Sequence, residues 1–142
     1  MATSALARPP WTTANLHTVG SILYALGGVL LAGEAAVHVQ QYVSLFYGMR
    51  WIGPLFLANA AASAVAIAGL AYPRTRPLGA LSGVVISALS LGSLVVSYGH
   101  GLFGWQEAGF RPSVALALVT EVGAVILLSM ALTGTSVAAT RR

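Results

Sequence analysis

The chain has 142 residues, 57 % of them hydrophobic and only 7 % charged, and a mean hydropathy of +0.82; soluble domains carry about 25 % charged residues, so a soluble globular protein is excluded and a single membrane domain is indicated. The net charge of +4 comes from seven arginines scattered at segment ends, which leaves no basic stripe for nucleic acid. Cysteine is absent, excluding disulfides, thiolate metal sites and cysteine nucleophiles.

The polar, proline-containing start reads as a loose tail over about residues 1–15. Four apolar stretches follow, at about 17–46, 52–72, 78–98 and 113–132. Each approaches or exceeds the ~20 residues a helix needs to cross the hydrocarbon core. Lipid offers the backbone no hydrogen-bond partners, so the stretches are helices rather than strands. The breaks between them are Gly48-Met49-Arg50 before Gly53-Pro54, the tight Pro73-Arg74-Thr75-Arg76-Pro77, and the long connection 99–112. The fold class expected is an all-α antiparallel bundle of four transmembrane helices. Arg8 before an apolar run, with Gly33-Glu34-Ala35 further on, has the outline of a signal peptide. The apolar run continues to Phe46, beyond the usual 7–15 residues, and an uncleaved helix is the expectation.

With four spans, Arg8, Arg74, Arg76, Arg141 and Arg142 share one side, and Arg50 and Arg111 the other, where Glu107 offsets one charge. The positive-inside rule then puts both termini in the cytoplasm. Tyr42, Phe46, Tyr47, Trp51, Phe56, Tyr98, Phe103, Trp105 and Phe110 crowd the outer ends. An interfacial belt is the first expectation for them, and an aromatic-lined outer pocket the second.

Helices in lipid associate through close packing and interhelical hydrogen bonds. Small residues at four-residue spacing mark Gly28, Ala32 and Ala36 on the first helix, Ala58, Ala62 and Ala66 on the second, and Gly79, Gly83 and Ser87 on the third.

Against this background Glu34, His38 and Glu121 stand out. An ionisable group at mid-bilayer depth costs at least ~2.5–3.5 kcal/mol on insertion scales and is by default functional. At 1.5 Å per residue, Glu34 and Glu121 both lie about 12 Å or more below the outer interface, at one level. His38 lies one turn nearer the outside on Glu34's face, Asn59 falls at about the same level, and His100 ends the third helix at a mouth framed by Arg50, Glu107 and Arg111.

These residues admit several uses. Glu34 with His38 is readable as an internal hydrogen-bonded pair, Asn59 as interhelical glue, His100 as an interfacial residue, and Glu121 as protonated or hydrogen-bonded to a partner helix. A proton or ion relay would run through Glu34, His38 and Glu121. A metal site would take the same three as N/O ligands, with His100 as a fourth, a donor set suiting zinc, iron or manganese. Glu-x-x-x-His departs from the Glu-x-x-His of di-iron bundles. Haem ligation needs two histidines at one depth, and His38 and His100 differ by about a turn. Nucleotide-binding, zincin and serine-hydrolase motifs are missing, so no cofactor or reaction is assigned.

The patches His38-Val39-Gln40-Gln41-Tyr42, Ile52-Gly53-Pro54-Leu55-Phe56-Leu57-Ala58-Asn59 and Gly101-Leu102-Phe103-Gly104-Trp105-Gln106-Glu107 together resemble a group of small bacterial, mainly actinobacterial, four-helix integral membrane proteins without an assigned activity. The likeness covers about residues 30–130 and implies a fold and an inner-membrane location, but no reaction. In size the chain is also similar to the small DoxX-type four-helix membrane proteins, some linked to quinone or thiol redox chemistry; it lacks cysteine and any specific DoxX motif. The leading expectation is an accessory or scaffold bundle in the bacterial plasma membrane, its partners the lipid bilayer and either a second copy or a larger membrane complex. A small proton-linked transporter or carrier is the alternative, and a metal-dependent or redox membrane enzyme the third reading.

Overall fold

The computed structural model describes residues 11–140, with side chains placed for residues 18–134. Residues 1–10 of the expected tail, with Arg8, Arg141 and Arg142, lie outside the described residues; from Trp11 onward the backbone is already helical. Among the described residues the chain forms α1 (Trp11–Gln41), which continues into one π-helical turn (Tyr42–Phe46), then α2 (Ile52–Ala71), α3 (Arg76–Gly99) and α4 (Pro112–Thr140). All four are long and apolar enough to cross a membrane, over Thr18–Phe46, Ile52–Ala71, Arg76–Gly99 and Pro112–Gly134.

The helices form an antiparallel four-helix bundle. α1 and α3 each pack along both α2 and α4 and meet each other only across the diagonal. Glu34 faces Ser87 and His38 faces Ser90, so α1 and α3 run the same way. Gly27 abuts Leu128 while Gly33 abuts Thr120, so α4 runs opposite to α1. One end of the bundle carries the short α2–α3 turn, and the other carries the α1–α2 and α3–α4 connections.

The turn end holds the apolar core. Tyr24, Leu31, Leu70 and Leu128 meet there, with Ala66, Ala80, Ala124 and Ala131 as the small partners that let them interlock. A Cβ on Gly79 would stand 2.7 Å from the Leu70 nitrogen and 2.8 Å from the Ala66 oxygen, so α2 and α3 are in backbone contact here. The turn completes itself: Thr75 Oγ1 donates to the Gly69 carbonyl at 2.7 Å, and Arg76 Nε to the Leu70 carbonyl at 3.2 Å. These take two of the carbonyls that the end of α2 leaves without helical partners.

The small-residue faces hold only in part. Gly79, Gly83 and Ser87 are all buried, as expected. Ala32 and Ala36 are exposed instead, and α1 turns Gly27, Leu31, Glu34 and His38 inward. The reason is energetic: two polar side chains one turn apart must leave the lipid, and that fixes the rotation of α1 whatever the neighbouring alanines allow. On α2, Ala66 is buried, but Ala58 is exposed and Ala62 half-buried.

Candidate functional site

All four helices contribute to one polar centre. Glu34 and His38 come from α1, Asn59 from α2, Ser87 and Ser90 from α3, and Glu121 from α4. Glu34 is fully buried and Glu121 is 1 % exposed. One ligand-type atom from each of Glu34, His38 and Glu121 lies within 4.8 Å of the others. The common depth read from the sequence therefore corresponds to a real cluster.

Its wiring differs from the simplest expectation. Glu34 and His38 do not pair through their side chains; His38 Nδ1 donates instead to the Glu34 backbone carbonyl at 2.9 Å. A carbonyl only accepts, so Nδ1 carries the proton and the imidazole is held with Nε2 facing inward. Nε2 lies 3.2 Å from Ser90 Oγ and 3.8 Å from Glu121 Oε1. The Ser90 hydroxyl donates to Glu121 Oε1, and the Ser87 hydroxyl to Glu34 Oε2, each at 2.6 Å, the length of a charge-assisted bond. Glu121 thus has its partner on another helix, as anticipated. The second oxygen of each carboxyl, Glu34 Oε1 and Glu121 Oε2, is buried with no hydrogen-bond partner. Asn59 approaches the Glu34 carboxyl without closing a bond on that oxygen, and its own amide oxygen accepts from Ser63 at 3.4 Å.

A cavity of about 350 Å³ rests on this cluster. His38, Ser90, Glu121 and Asn59 form its floor, and Phe46, Leu102, Trp105 and Glu107 lie toward its loop end. Its exposed lining residues are Leu55 and Ala58 on α2 and Leu89 and Ser93 on α3. The cavity therefore opens sideways, between α2 and α3, onto the surface that lipid would cover. The backbone contact at Gly69 and Gly79 closes that seam at the other end.

The π-helical turn builds the roof. Widening the last turn of α1 brings Phe46 inward to 2 % exposure. Phe46 stacks on Phe56 at 4.4 Å and meets Trp105 edge-on at 5.2 Å, while Phe56 lies 5.0 Å from the His38 ring. Gly53 makes room, since a Cβ there would stand 2.6 Å from the Phe46 carbonyl. The outer aromatics thus divide. Tyr47, Trp51, Phe103 and Phe110 are exposed, as in an interfacial belt, whereas Phe46, Phe56 and Trp105 line the cavity.

Comparison with protein-family models, curated proteins and solved structures gives no match. The chemistry of the site therefore rests on its own residues.

The expected mouth is only half assembled. Arg111 clasps Glu107 with two hydrogen bonds, Nε to Oε1 at 2.9 Å and Nη2 to Oε2 at 2.6 Å, and Glu107 borders the cavity. Arg50 instead lies over the Trp51 ring at 5.1 Å and lines a separate small pocket with Phe103 and Gly104. His100 is exposed beyond the end of α3, ten residues or about 15 Å along the axis from Ser90, so it is no fourth ligand for the cluster. Ser90 was not anticipated as a site residue, and Ser87 was noted only as a small packing residue. The signal was present: serines at 87, 90, 93 and 97 recur every three or four residues and so share one face of α3.

Proposed function

We propose that the protein is a multi-pass carrier or binding protein of the bacterial plasma membrane, both termini cytoplasmic. It takes a small apolar molecule with an oxygen-bearing, hydrogen-bonding head into the cavity between α2 and α3. The observation that carries this reading is the cavity's polarity: Leu55 and Leu89 at its open rim are 48 % and 67 % exposed, and His38 and Glu121 form its buried end. A molecule dissolved in the bilayer enters tail-outward, with its head on the floor and its body against Phe46, Phe56 and Trp105. The volume falls within the ~300–1,000 Å³ of ordinary ligand pockets. Arg74 and Arg76 at the α2–α3 turn support the cytoplasmic placement of that end.

A purely structural scaffold accounts for less. Groups buried only to hold helices together are normally satisfied, yet Glu34 Oε1 and Glu121 Oε2 have no partner.

The test uses 4-bromophenol as a probe and Trp105 fluorescence as the readout, in a protein carrying Trp11→Phe and Trp51→Phe. Saturable quenching that Ala62→Phe abolishes is the expected result. Quenching that rises linearly with probe and is identical in Ala62→Phe is simple partitioning into detergent, and overturns the reading.

A further inference from the structure

The cluster beneath the cavity is short of protons. Glu34 and Glu121 together present four carboxyl oxygens, and His38 Nε2 presents a fifth acceptor when the ring is neutral. Against these stand the hydroxyls of Ser87 and Ser90, each already committed to one oxygen, and the Asn59 amide, which approaches the Glu34 carboxyl without closing a bond on Oε1. Ser90 Oγ faces Nε2 at 3.2 Å with its proton directed at Glu121. Glu34 Oε1 and Glu121 Oε2 are left with no hydrogen-bond partner, and buried polar groups without partners are costly.

A cation placed among these acceptors satisfies them together. We infer that Glu34, His38 and Glu121 bind a single divalent transition-metal ion, held by one imidazole nitrogen and two carboxylates from α1 and α4. Three observations converge on it. The three side chains place ligand atoms within 4.8 Å of one another, and bonds of about 2.1 Å require ligand atoms about 3–4 Å apart, a closure of less than a side-chain rotation. Two carboxylates and a divalent cation sum to zero charge, the arrangement that the low-dielectric centre of a membrane favours. The supporting hydrogen bonds are already those of a metal site: the Glu34 carbonyl fixes the His38 ring through Nδ1, and Ser87 and Ser90 orient the carboxylates. Such partners of the ligands set both geometry and affinity.

The donor set of one nitrogen and two oxygens suits zinc, ferrous iron or manganese. Three protein ligands leave coordination positions free. His38 and Glu121 border the cavity, so the open positions face the space where an oxygen-bearing head would lie. The inference deepens the proposed function by giving that head something to bind, and it rests on the same floor.

The experiment is metal analysis of the purified full-length chain in detergent, without any cavity ligand, so that its failure is distinguishable from failure of phenol binding. The protein is stripped with chelator, reloaded separately with Zn²⁺, Mn²⁺ or, anaerobically, Fe²⁺, and desalted. About one ion per chain of at least one metal is expected. Co²⁺ serves as a spectroscopic probe, with visible bands that change in His38→Gln and disappear in Glu121→Gln. Ser87→Ala, which removes only a supporting bond, is expected to weaken binding about tenfold. His100→Gln, an exposed histidine outside the site, leaves the stoichiometry unchanged. Should a ligand variant fail to fold, the Ser87→Ala and wild-type titrations decide. Less than about a tenth of an ion per folded chain for every metal, with no Co²⁺ spectrum, overturns the inference. So does binding that His100→Gln removes and His38→Gln spares.

Discussion

Ser90 joins His38 to Glu121: its hydroxyl proton points at the Glu121 carboxyl 2.6 Å away, while its oxygen stands 3.2 Å from His38 Nε2. A single serine on α3 therefore stitches α1 to α4 across the bundle. Ser90→Ala is expected to cost about 1–3 kcal/mol, because it leaves a buried acceptor unpaired. Ser93→Ala, one turn away on the exposed rim, is expected to stay within about 0.5 kcal/mol. Thermal melting in detergent, followed by helical circular dichroism, separates the two; equal melting temperatures would remove Ser90 from the network.

Gly79 and Gly92 make a matched pair for packing. A Cβ at Gly79 meets backbone atoms of Ala66, Gly69 and Leu70 below 3 Å, whereas nothing lies within 4 Å of one at Gly92. Gly79→Ala is expected to destabilise the bundle by about 1–3 kcal/mol through overpacking. Gly92→Ala is expected to be neutral or slightly stabilising, since alanine is the better helix former. Unfolding in mixed detergent and denaturant reads both, and the ordering of the two variants is the result that matters.

The Glu107–Arg111 clasp predicts an asymmetry. The Glu107 side chain is 6 % exposed and that of Arg111 35 %. Arg111→Gln strands a buried carboxylate, and with solvent screening on the arginine side the cost is expected to be about 1–2 kcal/mol. Glu107→Gln leaves an arginine that can turn to water, and is expected to cost less. The same melts test this, and a larger loss for Glu107→Gln would contradict the burial argument.

Topology is open to direct chemical mapping, because the chain contains no cysteine. Thr75→Cys at the α2–α3 turn and Gln106→Cys in the α3–α4 connection both fall at exposed positions. In intact cells a membrane-impermeant maleimide is expected to label Gln106→Cys, and to label Thr75→Cys only after permeabilisation. The reverse pattern would invert the proposed orientation.

Much of this was legible in the sequence, for reasons that differ from residue to residue. The four helices follow from apolar length, and the rendezvous of Glu34 with Glu121 follows from counting depth at 1.5 Å per residue. What depth cannot supply is azimuth. His38 and Glu34 share a face as i and i+4 residues, yet the imidazole binds the Glu34 carbonyl rather than its carboxyl, because Ser87 and Ser90 on α3 draw the polar atoms of each. Phe46 falls under the pocket reading and Tyr47 under the belt, a division that regular helical spacing does not reveal because the π-helical turn alters the register beyond Gln41. His100 entered the metal reading as a fourth ligand on residue type alone; about 15 Å of helix separates it from Ser90, and its exposure fits the interfacial reading.

The backbone contact between Gly69 and Gly79 has a mechanical consequence. It fixes α2 and α3 together at one extremity, leaving the aperture bounded by Leu55 and Leu89 near the other. Leu55 lies about 21 Å along α2 from Gly69, so a rotation of about 5° at the glycine pivot shifts it by about 2 Å over that length. Such a lever magnifies small changes: a single methyl group added at the pivot is expected to resize an opening it never touches. The width of that aperture is thereby tied to the packing of two glycines at the opposite end of the bundle.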